Sequence, residues 1–201
     1  MRDNNLWGEN GFSGTQCITA DNSQTSPISW ASNWNWTGGP RFVKSYANSK
    51  VTTNLPILVS NIHSIKSSWS WSYSETDIVA DVAYDLFLGP KSDSKYDFEI
   101  MIWLAGFGEM GPLGSSIDKN ITLAGHSWTL FYGKSDHTVY SFVREGNDIP
   151  VFEEDIYGFV KHLVTNGALP SNYYLVYLGA GTEAISGNAY FQTTSYTASI
   201  L

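Results

Sequence analysis

The stretch that decides the fold is Tyr-Asp-Phe-Glu-Ile-Met-Ile-Trp, residues 96–103. Side chains of a β-strand alternate between the two faces of a sheet. One face is predicted to be apolar core and holds Tyr96, Phe98, Ile100 and Ile102. The other face holds Asp97, Glu99, Met101 and Trp103. A carboxylate beside a thioether and an indole suits a ligand-binding cleft better than a core. Glu99 is therefore the first candidate functional residue, against the alternative that it points to solvent from a one-sided sheet.

Other alternating segments predict a protein built from many strands. A strand over Ile78–Leu88 is predicted to place Val82, Tyr84 and Leu86 on one face and Asp81, Ala83, Asp85 and Phe87 on the other. Further strands are predicted at Trp30–Trp36, Phe42–Tyr46, Leu55–Ile65, Trp69–Tyr73, Tyr173–Glu183 and Phe191–Ile200, with a hairpin at Trp128–Tyr132 and Thr138–Val143. Apolar residues at helical spacing after an acidic first turn predict one helix over Glu153–Thr165.

These elements predict an all-β fold. Many short strands with regular turns and one α-helix are typical of a β-jelly-roll sandwich of two curved antiparallel sheets. The concave face of such a sandwich forms a cleft long enough for an extended polymer. Trp and Tyr side chains on that face would stack on sugar rings, although most aromatic residues are expected in the core.

The composition is typical of one secreted domain. A chain of 201 residues with 42% hydrophobic and 15% charged residues can bury a core as a single domain, residues 1–201. Its net charge of −8 disfavours nucleic acid and anionic membranes as partners. No apolar run is long enough to cross a bilayer. A neutral polysaccharide fits as the partner, and we expect an extracellular monomer.

Cysteine and histidine give no sign of a metal site. Cys17 is the sole cysteine, so neither an intrachain disulfide nor a cysteine-based metal site can form. The four histidines are scattered without ligand spacing: His63, His126, His137 and His162. Each is expected to be a surface or core residue rather than a catalytic one. We therefore expect no metal and no cofactor.

A second carboxylate strengthens the case for chemistry at Glu99. Glu183 lies among the small residues of 179–187, near the end of a predicted strand, where a ligand can approach the backbone closely. Glycoside hydrolysis needs one carboxyl group to attack or position water and another to protonate the leaving oxygen. A separation of about 5–5.5 Å between the two groups would indicate a retaining enzyme. Asp85, close before Glu99, is placed to orient the nucleophile and to separate the two pKa values.

A carbohydrate-binding module without activity is the competing interpretation. Sandwich folds with aromatic faces can bind glucans without cutting them. The presence of Glu99, Glu183 and Asp85 favours an enzyme, because binding alone does not require the electrostatic cost of holding buried carboxylates together.

Seven motifs resemble those of glycoside hydrolase family 12. They span nearly the whole chain, and as a set they are specific: Asn4-Asn5-Leu6-Trp7-Gly8, Val43-Lys44-Ser45-Tyr46, Val82-Ala83-Tyr84-Asp85-Leu86-Phe87, Glu99-Ile100-Met101-Ile102-Trp103-Leu104, Gly111-Pro112-Leu113-Gly114, Val139-Tyr140-Ser141-Phe142-Val143 and Gly181-Thr182-Glu183. The resemblance implies a β-jelly roll and retaining endo-hydrolysis of β-1,4-glucans. It implies that Glu99 is the nucleophile, Glu183 the acid/base and Asp85 the carboxylate that supports the nucleophile. It also implies that Asn5 and Trp7 hold glucose on the non-reducing side, and that Met101 and Trp103 form the cleft floor.

Two departures from the family pattern lead to further expectations. Family members usually carry an additional first strand, with a cysteine that pairs with the position of Cys17. Here three residues precede Asn4, so we expect that strand to be absent and Cys17 to be unpaired, which removes about 2–4 kcal/mol of stabilisation. Many members have Pro-Phe where this chain has Ala184-Ile185. The smaller pair is expected to admit a branched glucan, so xyloglucan is the leading substrate and unbranched or mixed-linkage β-glucan the alternative.

Overall fold

The computed structural model describes residues 1–21, 26–93 and 95–201 of the chain, and most of these lie in strands. The strands, in chain order, are β1 (Arg2–Asp3), β2 (Ser13–Ala20), β3 (Ile28–Thr37), β4 (Ser45–Lys50), β5 (Ile57–Leu58), β6 (Ile65–Tyr73), β7 (Val79–Gly89), β8 (Phe98–Phe107), β9 (Ser115–Leu123), β10 (His126–Lys134), β11 (Thr138–Arg144), β12 (Val151–Asp155) and β13 (Tyr174–Ile200). The helix found in the described ranges is α1 (Tyr157–Thr165), and a 3-10 turn covers Val59–Asn61.

The strands form two layers. Sheet A has the order β1-β4-β13-β7-β8-β11-β10-β9, with β5 also paired to β13. Sheet B has the order β2-β3-β13-β6-β12. Among the described pairs, β8 and β11 run parallel, with Val139 opposite Glu99, and the others are antiparallel. The predicted jelly-roll sandwich is confirmed, with this parallel pair as a departure from its antiparallel pattern.

Strand β13 belongs to both sheets. Residues 174–186 pair with β4 and β7 in sheet A, and residues 187–200 pair with β3 and β6 in sheet B. The strand changes sheets at Gly187, whose φ of +123° disfavours any residue with a side chain. A Cβ there would lie 2.9 Å from Ile78 Cγ2. The prediction of two separate strands is wrong, because the small residues between them continue the strand instead of forming a turn.

The alternation predicted for β7 and β8 is confirmed in the regular part of both strands. The side chains fully buried between the two sheets include Val82, Tyr84, Leu86, Ile100 and Ile102. The opposite face of the same strands carries Asp85, Phe87, Glu99, Met101 and Trp103. The two faces therefore separate the shared core from the candidate site.

Helix α1 begins later than predicted. Glu153 to Asp155 belong to β12, which pairs with β6. Asp155 Oδ1 accepts hydrogen bonds from the backbone N–H groups of Ile65 and Tyr157 at 2.8 and 3.0 Å. An acidic run before an amphipathic segment is compatible with the first turn of a helix and with an edge strand. Here the acidic residues form a strand because they pair with β6. Phe159 of the helix is fully buried and packs against Trp128 of β10 and Phe142 of β11.

Three other segments differ from the prediction. The strand predicted from Phe42 begins at Ser45, because Phe42 lies in a turn where its N–H donates to Gly39 O at 3.0 Å. In the segment 55–65, a two-residue strand, β5, is followed by the 3-10 turn. Strand β9 was not predicted, because its residues are mostly exposed and show no apolar alternation. Cys17 on β2 is a free, exposed thiol.

Candidate active site

An open cavity of about 850 Å³ lies against sheet A on the face opposite the shared core. Strands β4, β7, β8, β11 and β13 line its base, and residues of 3–7, 40–43 and 109–113 line its rim. Its volume is in the range of ligand-binding clefts. All seven side chains selected from the sequence line this cavity: Asn5, Trp7, Asp85, Glu99, Met101, Trp103 and Glu183.

The N-terminal segment brings Asn5 and Trp7 to the cavity because it is tied to β4 and the residues before it. Asn5 O accepts a hydrogen bond from Tyr46 N at 3.0 Å, and Gly8 N donates to Lys44 O at 2.9 Å. Trp7 remains 61% exposed at the rim. Its indole face is therefore available to stack on a sugar ring.

The floor below Glu99 is a small apolar cluster separate from the main core. It is formed by Ala83, Met101, Trp103 and Val139. Trp103 Nε1 donates to Met101 Sδ at 3.4 Å, which links the two residues predicted to form the cleft floor. An apolar floor raises the free-energy cost of charging the carboxyl groups above it.

Aromatic side chains form one wall of the cavity. Phe87 stacks on Tyr96 with ring centroids 4.4 Å apart and packs against Tyr177 at 5.1 Å. Tyr177 donates a hydrogen bond to Asn48 Oδ1 at 3.0 Å, which fixes the far end of the wall. The prediction that Tyr96 lies on the core face is wrong. The regular strand begins at residue 98, so strand alternation does not extend to Tyr96.

The small residues around Glu183 serve the packing of strands rather than the entry of a ligand. Glu183 lies in the middle of β13, not near a strand end. A Cβ at Gly181 would lie 2.2 Å from Ala47 O on β4. Glycine at this position therefore lets β4 approach β13, and the expectation of close ligand approach is corrected.

Glu183 stands beside a buried carboxyl to which the sequence analysis gave no role. Its backbone N–H donates to Asp81 Oδ1 at 2.9 Å, and Asp81 Oδ2 is buried with no hydrogen-bond partner in the described parts of the chain. Burial raises the pKa of Asp81 to about 8, although the hydrogen bond from Glu183 opposes this. Burial and the charges of Asp81 and Glu99 raise the pKa of Glu183 well above its usual value. Glu183 is therefore favoured in the protonated form that a general acid needs.

Asp85 is a further buried carboxyl next to this pair. Burial raises its pKa well above the usual value, and the charges of Glu99 and Glu183 add to the effect. Asp85 Oδ1 is buried without a hydrogen-bond partner among residues 1–21, 26–93 and 95–201. The protonated form of Asp85, which can donate a hydrogen bond, is therefore favoured.

His137 is a site residue that the sequence analysis missed. Its Nε2 lies 2.6 Å from Glu99 Oε2, and the exposed fractions of the two side chains are 17% and 15%. The hydrogen bond to Glu99 raises the pKa of His137 above its usual value. The expectation of a surface or core histidine is therefore wrong at this position. Parallel pairing places Thr138 opposite Phe98 and so brings His137 to Glu99, a proximity that no local sequence pattern reveals.

The buried carboxyl groups predict a chain that becomes less stable as the pH rises. Between the ordinary value of 3.8 and about 8, folded Asp81 holds its proton while the unfolded chain has lost it. The folded state then binds more protons, so the free energy of unfolding falls as pH increases through this window. Unfolding should be followed by circular dichroism at several pH values between 4 and 8.

Asp81→Asn is the matched test of this pH dependence, because an amide oxygen can still accept the hydrogen bond from Glu183. The fall in Tm across the window should be smaller than in the unchanged chain by at least about 2–4 °C, the shift that 1 kcal/mol produces in a domain of this size. A variant whose Tm falls as steeply as that of the unchanged chain would contradict the role of Asp81.

Comparison with known proteins identifies the family. The sequence pattern of Glycosyl hydrolase family 12 matches residues 1–201. The chain belongs to glycosyl hydrolase family 12. The xyloglucan-specific endo-beta-1,4-glucanase A of Aspergillus niger is 44% identical to this family 12 chain over 203 residues, covering 98% of the chain and 83% of the relative. Endoglucanase A of Aspergillus kawachii is 40% identical over 206 residues, covering 98% of the chain and 85% of the relative.

A solved family 12 structure shares the fold closely. The catalytic domain of Humicola grisea Cel12A, in complex with a soaked thio cellotetraose, matches with a TM-score of 0.95 and 36% identity, over 100% of this chain and 92% of that chain. This chain is therefore a glycoside hydrolase. Its described residues contain no helix with the length and apolar character needed to span a bilayer. They also include no group of three or more histidine, cysteine or acidic side chains arranged to hold a metal ion.

Proposed function

We propose that this family 12 chain hydrolyses internal β-1,4-glucosidic bonds of a plant cell-wall glucan with retention, and that its preferred substrate is xyloglucan. The observation that carries the proposal is the cavity that holds Glu99 and Glu183 above an apolar floor and beside an aromatic wall. Relatives at 41–44% identity that are named xyloglucan-specific endo-beta-1,4-glucanase, or probable members of that group, support it. We propose a single secreted domain that acts as a monomer.

In the first step of the proposed reaction, Glu99 attacks the anomeric carbon while Glu183 protonates the departing glycosidic oxygen. The high pKa of Glu183 supports its assignment as the acid. Glu99 Oε2 has a charge-assisted contact with His137 Nε2 at 2.6 Å. Glu183 then takes a proton from water, which attacks the anomeric carbon from the face that the leaving group occupied, opposite the glycosyl–Glu99 bond, and releases Glu99.

The remaining predicted residues support the nucleophile or bind the substrate. Protonated Asp85 supports the nucleophile from the buried side of the site. Asn5 and the exposed indole of Trp7 hold a sugar ring on the non-reducing side, and Met101 and Trp103 lie beneath the bond that is cleaved. Stacking of aromatic faces on sugar rings binds neutral glucans without requiring a charged partner.

The decisive measurement is release of reducing ends from xyloglucan and from unbranched β-1,4-glucan in parallel, with Glu99→Gln as the inactive control. Faster release from xyloglucan is the expected result. Equal or faster release from the unbranched polymer would favour an endo-β-1,4-glucanase, the second candidate, which is supported by the name of the Aspergillus kawachii relative. Binding of both polymers without release from either would favour a non-catalytic carbohydrate-binding module.

The side chain that follows Ala184 is expected to control the preference for a branched substrate. Ile185 lines the cavity near Glu183 and is itself 2% exposed, so a larger ring there would project into the cavity. Ile185→Phe should lower the ratio of kcat/KM on xyloglucan to that on unbranched glucan by about tenfold, a typical effect of pocket size on selectivity. Ile117→Phe, on an exposed position of β9 outside the cavity, is the matched control. An unchanged ratio in Ile185→Phe would remove this account of the preference.

A further inference from the structure

We propose that His137 is a positioning residue for the reaction: it binds Glu99 through Oε2 and leaves Oε1 free to attack the sugar. The inference rests on the proposed function of Glu99 as the nucleophile. The contact of 2.6 Å between His137 Nε2 and Glu99 Oε2 is the observation that carries it. An ionised carboxylate is an acceptor at both oxygens, so the imidazole donates in this contact.

The imidazole is held in place on more than one side. Tyr96 packs edge-on against it with ring centroids 5.0 Å apart, and Phe87 lies edge-on at 6.4 Å. The backbone is fixed as well, because Ser135 N donates to His137 O at 3.0 Å in the hairpin before β11. The ring contacts and the backbone hydrogen bond hold the imidazole in one position. The imidazole can therefore hold the carboxylate to which it donates.

The groups that face His137 favour its charged form. Glu99 contacts it from β8, Asp136 adjoins it in its own hairpin, and Tyr96 packs on it from the segment before β8. The hydrogen bond to Glu99 is the main contribution, and the charge of Asp136 adds to it, whereas partial burial opposes it. From β7, Asp85 also lies near Glu99, and the charge of Glu99 contributes to the raised pKa of Asp85.

This arrangement assigns the two oxygens of Glu99 to different tasks. In the first step a lone pair of Oε1 forms the bond to the anomeric carbon, the glycosidic bond breaks, and its electron pair leaves with the oxygen that Glu183 protonates. In the second step water attacks the anomeric carbon and gives a proton to Glu183, and the C–Oε1 electron pair returns to Glu99. The imidazolium keeps its proton throughout and stabilises the carboxylate that leaves.

Three substitutions separate the charge of His137 from its hydrogen bond. His137→Ala removes both, His137→Gln keeps an N–H donor without charge, and His137→Lys keeps a cation. On 4-nitrophenyl β-cellotrioside, the acid limb of the kcat/KM profile should move to higher pH in the Ala and Gln variants, because the cation beside the carboxylate is removed. Activity on that limb then falls. His137→Lys should restore the position of the limb, and the Gln variant should keep a higher kcat than the Ala variant.

His63→Gln is the matched control, because it removes one imidazole at an exposed position outside the cavity. An acid limb that stays at the wild-type pH in His137→Gln and His137→Ala would overturn the proposal, provided that the unchanged chain is active. A limb that moves equally in His63→Gln would also overturn it, because net charge alone would then explain the shift.

A measurement that needs no activity distinguishes this proposal from the proposed function. The NMR titration of the His137 imidazole should have its midpoint at a lower pH in Glu99→Gln than in the unchanged chain, since a neutral amide no longer favours the imidazolium. An unchanged midpoint would show that the two side chains are not paired in solution and would overturn the inference. A lowered midpoint in a chain that releases no sugar would support the pair and reject the proposed hydrolysis.

Discussion

Glu99→Gln is expected to lose at least about a thousandfold in kcat on xyloglucan while glucan binding changes little. A neutral amide is a poor nucleophile and cannot form the glycosyl intermediate. It nevertheless keeps nearly the shape of the carboxylate and still accepts the hydrogen bond from His137. Turnover should be measured by reducing-end release, and affinity by calorimetry with a xyloglucan oligosaccharide.

Glu75→Gln is the control for Glu99→Gln, because Glu75 is exposed and lies outside the cavity. Its kcat should equal that of the unchanged chain. Residual activity of Glu99→Gln above about a thousandth of that level would reject Glu99 as the nucleophile. Loss of binding together with activity would instead indicate that the variant disturbs the cleft.

Glu183→Ala is expected to lower kcat on polymeric glucan by about 10²–10⁴-fold, the usual contribution of general acid catalysis. The loss should be much smaller for the first step on a 2,4-dinitrophenyl β-cellotrioside, because that leaving group departs without protonation. Burst kinetics on the aryl substrate and steady-state rates on xyloglucan measure the two cases. The basic limb of the pH profile, which follows deprotonation of Glu183, should also disappear.

Added azide gives a second test of Glu183→Ala. Azide needs no general base, so it should restore turnover of the aryl substrate and yield a β-glycosyl azide, the product of two displacements at the anomeric carbon. Equal losses on both substrates, without a response to azide, would assign Glu183 a structural role. An α-glycosyl azide would contradict retention.

The sequence predicts the fold and the two faces of β7 and β8 because those predictions depend on local alternation. The choice of Asn5 and Trp7 comes instead from the family resemblance. In β7 and β8 the two-residue period separates Val82, Tyr84 and Ile100 from Asp85 and Glu99, and the structure separates them in the same way. Such a prediction requires only that the strand is regular.

The missed features depend on contacts between segments distant in the chain. His137 reaches Glu99 because β11 lies parallel to β8, and strand order cannot be read from either segment alone. The acidic residues before α1 fit the first turn of a helix until β6 is found beside them. Asp81 was placed on the correct face, but its contact with Glu183 depends on the position of β13 beside β7.

The passage of β13 through both sheets determines how the protein can unfold. The strand pairs with β4 and β7 before Gly187 and with β3 and β6 after it, so the two layers share this strand. Opening of either layer exposes backbone groups of the strand on which the other layer depends, which makes the two sheets one cooperative unit. Glu183 lies on this shared strand, so the proposed acid/base keeps its position only while both sheets are intact.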